Sequence, residues 1–172
     1  MKTIFAGAAA AILLAACQTT PYEPPRATAQ LLSTKGSKAF GEATFEQVGD
    51  KVRVSIFVQG LKPGQEHGLH IHEVGDCSSG DGMSTKGHFN PQGKPHGHYS
   101  SANRHAGDLP ALKANKSGRA KVEADVDIIT VAPGPASIVG RGLIVHAAPD
   151  DYTTQPTGNA GARIACGVIR AG

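Results

Sequence analysis

The chain has 172 residues, of which 17 are Lys or Arg and 14 are Asp or Glu, so its formal net charge is +3. This small excess excludes a nucleic-acid-binding protein that works by neutralising many phosphates, and the 40% of hydrophobic residues exclude a disordered tail. The length suits one domain with a hydrophobic core, and the 22 glycines and 11 prolines favour short elements joined by turns.

The N-terminal segment predicts export and lipid attachment. An apolar run over residues 4–16 is too short to cross a bilayer and has the length of a signal-peptide core. The run ends at Cys17, in a pattern that resembles the bacterial lipobox, where the cysteine thiol is lipidated before cleavage. We therefore interpret residues 1–16 as a signal peptide and Cys17 as the lipidation site. An ordinary secretory signal with a chance cysteine is the alternative.

Several acyl chains on Cys17 would anchor the exported protein stably at the periplasmic face of a membrane. Gln18 stands where some lipoproteins carry the aspartate that retains them in the inner membrane, which favours the outer membrane of a Gram-negative cell. Proline-rich residues follow, and we interpret residues 17–35 as the lipidated cysteine and an extended tether. A proline-rich edge of the domain is the alternative, and the domain itself is predicted over residues 36–172.

The rest of the chain is predicted to be all-β. In residues 51–59 the apolar side chains alternate with mostly polar ones, which is typical of a strand with one buried face. Weaker or similar patterns predict further strands over residues 39–46, 120–128, 137–146 and 162–169. Short strands with Gly and Pro turns favour a Greek-key β-sandwich or flattened barrel. Two segments without strand character, residues 75–112 and 147–161, are predicted to be long functional loops.

All eight histidines lie between residues 67 and 146. In His70-Ile71-His72 the two imidazoles lie on the same face of a strand and can chelate one ion, although a polar strand face gives the same pattern. His146 ends an apolar run and can join them at the edge of the sheet. A flattened array of imidazoles suits Cu(II).

The first long loop carries a second set of candidate ligands. It offers three nitrogens and one oxygen, a combination that suits a tetrahedral structural zinc site, from His88, His96, His105 and Asp108. A loop with little apolar burial lacks the energy to order itself, and a bound metal supplies that energy.

Four motifs together resemble the copper/zinc superoxide dismutase family. They are residues 67–77 (HGLHIHEVGDC), 87–91 (GHFNP), 105–108 (HAGD) and 158–167 (GNAGARIACG), and the resemblance spans about residues 36–171. It implies an enzyme that converts its substrate superoxide to O₂ and H₂O₂ by cycling Cu(II) and Cu(I), while zinc has a structural role.

The resemblance also implies the role of each site residue. It assigns copper to His70, His72, His88 and His146, and zinc to His88, His96, His105 and Asp108. His88 would then bridge the two ions and hold a proton during the cycle, and Arg163 would guide the anion towards copper. Asp150 would link His70 to His96. His67 would pack behind the copper ligands, and a buried histidine with its hydrogen bonds satisfied is its other interpretation.

Two cysteines remain once Cys17 carries lipid. An even pair in an exported chain predicts a disulfide between Cys77 and Cys166, with two free buried thiols as the alternative. The resemblance implies the same bridge.

The chain departs from the eukaryotic members of the family in residues 147–161, which lack their Lys/Glu pattern and resemble the bacterial branch. Other charges would then steer the substrate, and Lys86, Lys94 and Arg104 are the candidates, with solvated loop side chains as the alternative. His98 is either a surface residue or part of an accessory metal site. The bacterial branch includes monomers, so both a homodimer and a monomer stay open.

The alternative function is a non-catalytic exported copper/zinc-binding module of the same fold. Modules of that kind tend to lose ligands or the guiding arginine, whereas this chain keeps seven ligands and Arg163. The sequence therefore favours the enzyme.

Overall fold

The computed structural model describes residues 22–172. The predicted signal peptide over residues 1–16 and the predicted lipidation site Cys17 lie outside this range, and within it no helix is long and apolar enough to cross a membrane. The described elements are one 3-10 turn, Met83–Thr85, and ten strands: β1 Arg26–Ser33, β2 Phe40–Val48, β3 Lys51–Gln59, β4 Glu66–His67, β5 Leu69–His72, β6 Leu112–Lys113, β7 Ala120–Val126, β8 Gly142–His146, β9 Arg163–Val168 and β10 Arg170–Ala171.

Most of these strands form one antiparallel sheet in the order β5-β8-β9-β1-β2-β3-β7. Strand β1 joins its two halves, because residues 26–31 pair with β2 while Leu32 and Ser33 pair with β9. Strand β10 pairs with the start of β1, and β4 pairs with β6. The predicted all-β class, a flattened Greek-key barrel with two long loops, is confirmed.

The predicted tether over residues 17–35 is wrong in its second half, because residues 26–33 form β1 in the middle of the sheet. Ala27, Ala29 and Leu31 are buried and alternate with exposed polar residues. Two of these three buried side chains are single methyl groups, so the hydrophobic alternation is weak in the sequence, and the prolines just before it favour a linker interpretation. The predicted strand over residues 137–146 is also too long, since only Gly142–His146 is a strand.

The core lies on the inner face of the sheet. Val52, Val54, Ile56 and Val58 of β3 are fully buried there, as their alternation predicts. Strand β5 is buried on both faces, because its second face is covered by the long loop over residues 75–112. This arrangement places polar side chains of β5 in a closed space between the sheet and the loop.

Backbone hydrogen bonds hold the loop on β5. The amide of Phe89 donates to the carbonyl of Ile71 at 2.8 Å, and the amide of Ile71 donates to the carbonyl of Gly107 at 2.9 Å. A Cβ atom at Gly107 would collide with the carbonyl oxygen of Ile71, so this close approach requires glycine.

The predicted disulfide is confirmed, since Cys77 and Cys166 are bonded. The bridge connects the start of the long loop to β9 and closes a loop of 89 residues. Chain entropy gives such a bridge about 4–5 kcal/mol of stabilisation.

Candidate metal centre

Four imidazoles from separate parts of the chain converge between the sheet and the long loop. His70 and His72 come from β5, His146 ends β8, and His88 comes from the loop. One nitrogen of each ring lies within 4.8 Å of the others, and all four residues are buried.

Hydrogen bonds fix the orientation of these rings. The nitrogen that points away from the cluster donates to an oxygen in three of them: His70 Nε2 to Asp150 Oδ2 at 2.7 Å, His72 Nδ1 to the Lys86 carbonyl at 2.8 Å, and His146 Nδ1 to the Gly161 carbonyl at 3.1 Å. The nitrogens that face the cluster are buried without a hydrogen-bond partner: His70 Nδ1, His72 Nε2, His88 Nε2 and His146 Nε2. Buried polar atoms are rarely left unpartnered in native proteins. Four converging lone pairs therefore fit a metal ion.

Burial keeps three of these rings, those of His72, His88 and His146, neutral at pH 7. Burial, aided by the charge of His70, lowers the pKa of His88 to about 4 and that of His146 to about 3. Burial and the neighbouring His88 hold the pKa of His72 far below its usual range. Since a neutral imidazole has a free lone pair, these three rings are in the form that binds metal.

A second group shares His88 with the first. It comprises His88, His96, His105 and Asp108, all of them buried. The ligand atoms lie at tetrahedral spacing: Asp108 Oδ1 is 3.0 Å from His88 Nδ1, 3.1 Å from His96 Nδ1 and 3.5 Å from His105 Nδ1, and the Nδ1 atoms of His88 and His105 are 3.3 Å apart. Ligands about 2 Å from a tetrahedral zinc ion would be roughly 3.3 Å from one another. The observed spacing therefore fits zinc.

The loop backbone holds the carboxylate of this group in place. Asp108 Oδ2 accepts hydrogen bonds from the backbone amides of Gly97 at 3.1 Å and His105 at 3.0 Å. Burial alone would raise the pKa of Asp108, but hydrogen bonds from the three histidines of the group hold it well below its usual range. Asp108 is therefore ionised at neutral pH.

Asp150 connects the two groups from behind. Its Oδ2 accepts from His70 Nε2 and its Oδ1 accepts from His96 Nε2, both at 2.7 Å. Burial disfavours the charged form of His96, but its hydrogen bonds to Asp108 and Asp150 outweigh burial and raise its pKa to about 9. One carboxylate thus orients one ring of each group, the arrangement that metal-binding histidines commonly have.

Arg163, at the start of β9, lies beside the first group. Its Nη1 donates to the Gly82 carbonyl at 2.6 Å and to Thr85 Oγ1 at 3.0 Å, and its Nη2 donates to the Lys86 carbonyl at 2.6 Å. The Lys86 carbonyl therefore accepts from both Arg163 and His72. The charge of Arg163 contributes to the low pKa values of His72 and His146, so its electric field reaches this cluster.

The other predicted site residues lie around this centre. His67 is buried, and its Nδ1 donates to the His146 carbonyl at 2.8 Å. His98 is exposed and belongs to neither group, with its ring 4.7 Å from that of Tyr152. Arg104, a candidate for steering, is buried and donates to Asp127 at 2.6 Å, so it does not present a free charge.

Two residues that shape the site, Thr85 and Gln155, were not predicted from the sequence. Thr85 lies between Arg163 and His72, 3.0 and 3.3 Å from them. The side chain of Gln155 accepts from the backbone amide of His96 and donates to its carbonyl. Neither residue belongs to a motif with a ligand in it, so no sequence signal identified them.

Comparison with known proteins places these observations in a family. Residues 39–169 match the family model described as copper/zinc superoxide dismutase (SODC). A superoxide dismutase (Cu-Zn) of Aquifex aeolicus is 39% identical over 149 residues, which are 84% of this chain and 86% of the relative. Another, from Brassica juncea, is 45% identical over 151 residues, which are 84% of this chain and 96% of that protein.

Two solved structures are similar over most of their length. The clock protein EA4 is 41% identical with a TM-score of 0.77, and the match covers 89% of this chain and 98% of that one. A double mutant of a SOD-like protein from Bacillus subtilis is 37% identical with a TM-score of 0.76, and the match covers 83% of this chain and 96% of that one.

Proposed function

The chain belongs to the copper/zinc superoxide dismutase family, whose members are oxidoreductases that use copper and zinc, and we propose how its own residues divide the two metals. Copper takes the cluster of four imidazoles: His70, His72, His88 and His146. Zinc takes the group with the carboxylate: His88, His96, His105 and Asp108. The observation that carries this assignment is the set of four buried nitrogens that lack a protein partner and face one another.

The chemistry of the donor atoms supports the division. Four imidazole nitrogens suit copper, whereas three nitrogens and a carboxylate oxygen at tetrahedral spacing suit zinc. When bound, copper supplies the one-electron chemistry that converts superoxide to O₂ and H₂O₂, and zinc, which has no redox chemistry, supplies a fixed charge and order.

The protein contributes a shared ring and a proton-holding atom. His88 presents Nε2 to the first group and Nδ1 to the second. Because Nδ1 faces Asp108 and the second group, Nε2 is the atom of this ring that can hold a proton next to the reaction.

Arg163 is proposed to guide the anionic substrate. Its guanidinium is always charged, and its planar group of donors suits a small anion. Three oxygen acceptors hold its Nη atoms, so the charge has a fixed position beside the four imidazoles. Loss of this charge should slow substrate capture more than it changes metal content.

Lys86 is the strongest of the candidates for steering at longer range. Its side chain is exposed, and its backbone carbonyl accepts hydrogen bonds from Arg163 and His72. The backbone of Lys86 therefore lies at the edge of the metal centre, and its ammonium group extends from there into solvent. Lys86 has a left-handed φ of 62°, which glycine adopts without strain. A lysine at a position that suits glycine supports a function for its charge. In contrast, the ammonium group of Lys94 donates a hydrogen bond to the Ala102 carbonyl.

We further propose that the protein is an exported lipoprotein anchored through Cys17. The support is the signal-like run over residues 4–16 that ends at this cysteine. The Cys77–Cys166 disulfide is in keeping with an oxidising compartment. Mass spectrometry of the protein isolated from its own cells tests this: a mature N-terminus at Cys17 with acyl chains is expected. An unmodified Cys17, or cleavage elsewhere, would reject it.

The enzymatic assignment is tested on purified protein loaded with copper and zinc. We expect one atom of each metal per chain, rapid removal of superoxide in pulse radiolysis, and loss of turnover on addition of cyanide. Arg163→Ala should keep both metals and slow superoxide removal at least tenfold, whereas Arg26→Ala, at an exposed salt bridge on β1, should change neither. Bound copper without turnover would favour the non-catalytic metal store instead.

A further inference from the structure

Thr85 ends the 3-10 turn of the long loop and is fully buried beside the centre. Its hydroxyl lies 2.8 Å from the Gly82 carbonyl, 3.0 Å from Arg163 Nη1 and 3.3 Å from His72 Nδ1. We propose that Thr85 is a positioning residue, whose hydroxyl holds the guanidinium of Arg163 in a fixed relation to the ring of His72. This inference rests on the proposed roles of Arg163 and His72.

The hydrogen-bonding capacity of the hydroxyl is fully used. A threonine hydroxyl has one proton and two lone pairs. The proton goes to the Gly82 carbonyl and one lone pair accepts from Arg163 Nη1. The second faces His72 Nδ1, whose proton goes chiefly to the Lys86 carbonyl at 2.8 Å. Among the described side chains, Thr85 alone is hydrogen-bonded to both Arg163 and His72.

The hydroxyl also fixes a second acceptor of the guanidinium. The Gly82 carbonyl accepts from both Thr85 Oγ1 and Arg163 Nη1, so these three groups form a closed triangle. Without the hydroxyl, Nη1 would keep one of its two acceptors, and the Gly82 carbonyl would lose its 2.8 Å donor and keep the Thr85 backbone amide at 3.2 Å. Arg163 could then rotate away from His72 without leaving the site.

The methyl group of Thr85 has a separate, structural role. It packs against β8 at Gly142, where an added Cβ atom would lie 2.8 Å from Thr85 Cγ2. The two roles can therefore be separated by substitution. Thr85→Val keeps the shape and removes the hydroxyl, whereas Thr85→Ser keeps the hydroxyl and removes the methyl group.

The experiment measures the affinity of azide, a small anion that binds Cu(II), from the visible absorption of protein loaded with copper and zinc. Thr85→Val should weaken azide binding about tenfold, the size of one hydrogen bond to a charged group. Thr85→Ser should stay within about twofold of the wild type. In the metal-free proteins, the NMR signals of the Arg163 guanidinium protons should be protected from exchange in the wild type and in Thr85→Ser, but not in Thr85→Val.

A double-mutant cycle with Arg163→Ala separates positioning from general damage. If Thr85 acts through Arg163, the double variant Thr85→Val/Arg163→Ala should bind azide no more weakly than Arg163→Ala alone. Additive losses, or wild-type affinity in Thr85→Val, would overturn the proposal. If Thr85→Val does not fold, Thr85→Ala and Thr85→Ser replace it, since they differ by the hydroxyl alone, and equal affinities would reject the proposal. A wild-type protein whose copper does not respond to azide would instead contradict the proposed function.

Discussion

The carboxylate of Asp150 links the two metal groups, and the variant Asp150→Asn tests that link. The charged side chain accepts two hydrogen bonds of 2.7 Å, from His70 Nε2 and from His96 Nε2. The amide of Asn has one acceptor and one donor, so one histidine N–H keeps an acceptor while the other faces an NH₂ group. A hydrogen bond to a charged group is worth about 1.5–3 kcal/mol. The variant weakens one such bond and replaces the other with a repulsive contact.

The consequence should appear as loss of metal affinity. Partners behind metal-binding histidines typically account for about 10- to 100-fold in affinity. We expect a loss in this range for zinc, since hydrogen bonds to Asp108 and Asp150 together raise the pKa of His96 and Asp150 alone holds its Nε2, and a smaller loss for copper. Competition titrations with a chelator measure both affinities. Asp151→Asn is the matched control, because Asp151 is exposed and accepts hydrogen bonds from Thr153 and Thr154 instead of from a ligand. A zinc affinity within threefold of the wild type would refute the reasoning.

Three further predictions follow from individual residues. Lys86→Gly should keep or raise the melting temperature, because glycine suits its φ of 62°. The same variant should slow superoxide removal about two- to threefold at low ionic strength, and added salt should abolish this difference. The control Lys94→Met should not slow superoxide removal. The metal-free protein should lose stability as the pH falls from about 6.5 towards 4. In the unfolded chain His88 and His146 become protonated near pH 6.5, whereas burial lowers their pKa values to about 4 and 3 in the folded protein. Between these values each group lowers the free energy of unfolding by about 1.4 kcal/mol per pH unit. Urea denaturation at several pH values measures this loss, and a flat profile would contradict the prediction. Cys77→Ser should lower the free energy of unfolding by about 4 kcal/mol, and an unchanged urea midpoint under oxidising conditions would count against this.

Strands could be predicted where large apolar side chains alternate with polar ones, and not where the buried side chains are small. In β3, four buried Val and Ile residues alternate with mostly polar ones, so its bounds agree with the prediction. In β1 the buried residues Ala27 and Ala29 contribute one methyl group each, and this weak pattern does not distinguish the strand from a tether. Its place between β2 and β9 depends on pairing with residues far along the chain, which local alternation cannot show.

The candidate site also has features that could be predicted from the sequence and features that could not. The two groups that the structure brings together consist of side chains whose types and spacing are visible in the sequence. Their hydrogen-bond partners are partly backbone carbonyls, such as those of Lys86 and Gly161, and every residue has a carbonyl. The role of Thr85 likewise depends on where a single 3-10 turn places its hydroxyl, and threonine is too common a residue to indicate this.

The unpartnered nitrogens also connect function with stability. Each buried polar atom without a partner costs about 1–3 kcal/mol, and four of them face one another in a space closed by the long loop. A bound ion converts these nitrogens into metal ligands, with bonds that the unfolded chain cannot form in the same geometry. The free energy of metal binding should therefore exceed the free-energy cost of ordering the long loop. The disulfide and the backbone bonds between the loop and β5 keep the site in place before the metal arrives. The position of the metal ligands thus depends on covalent and hydrogen-bonded links that do not involve the metal.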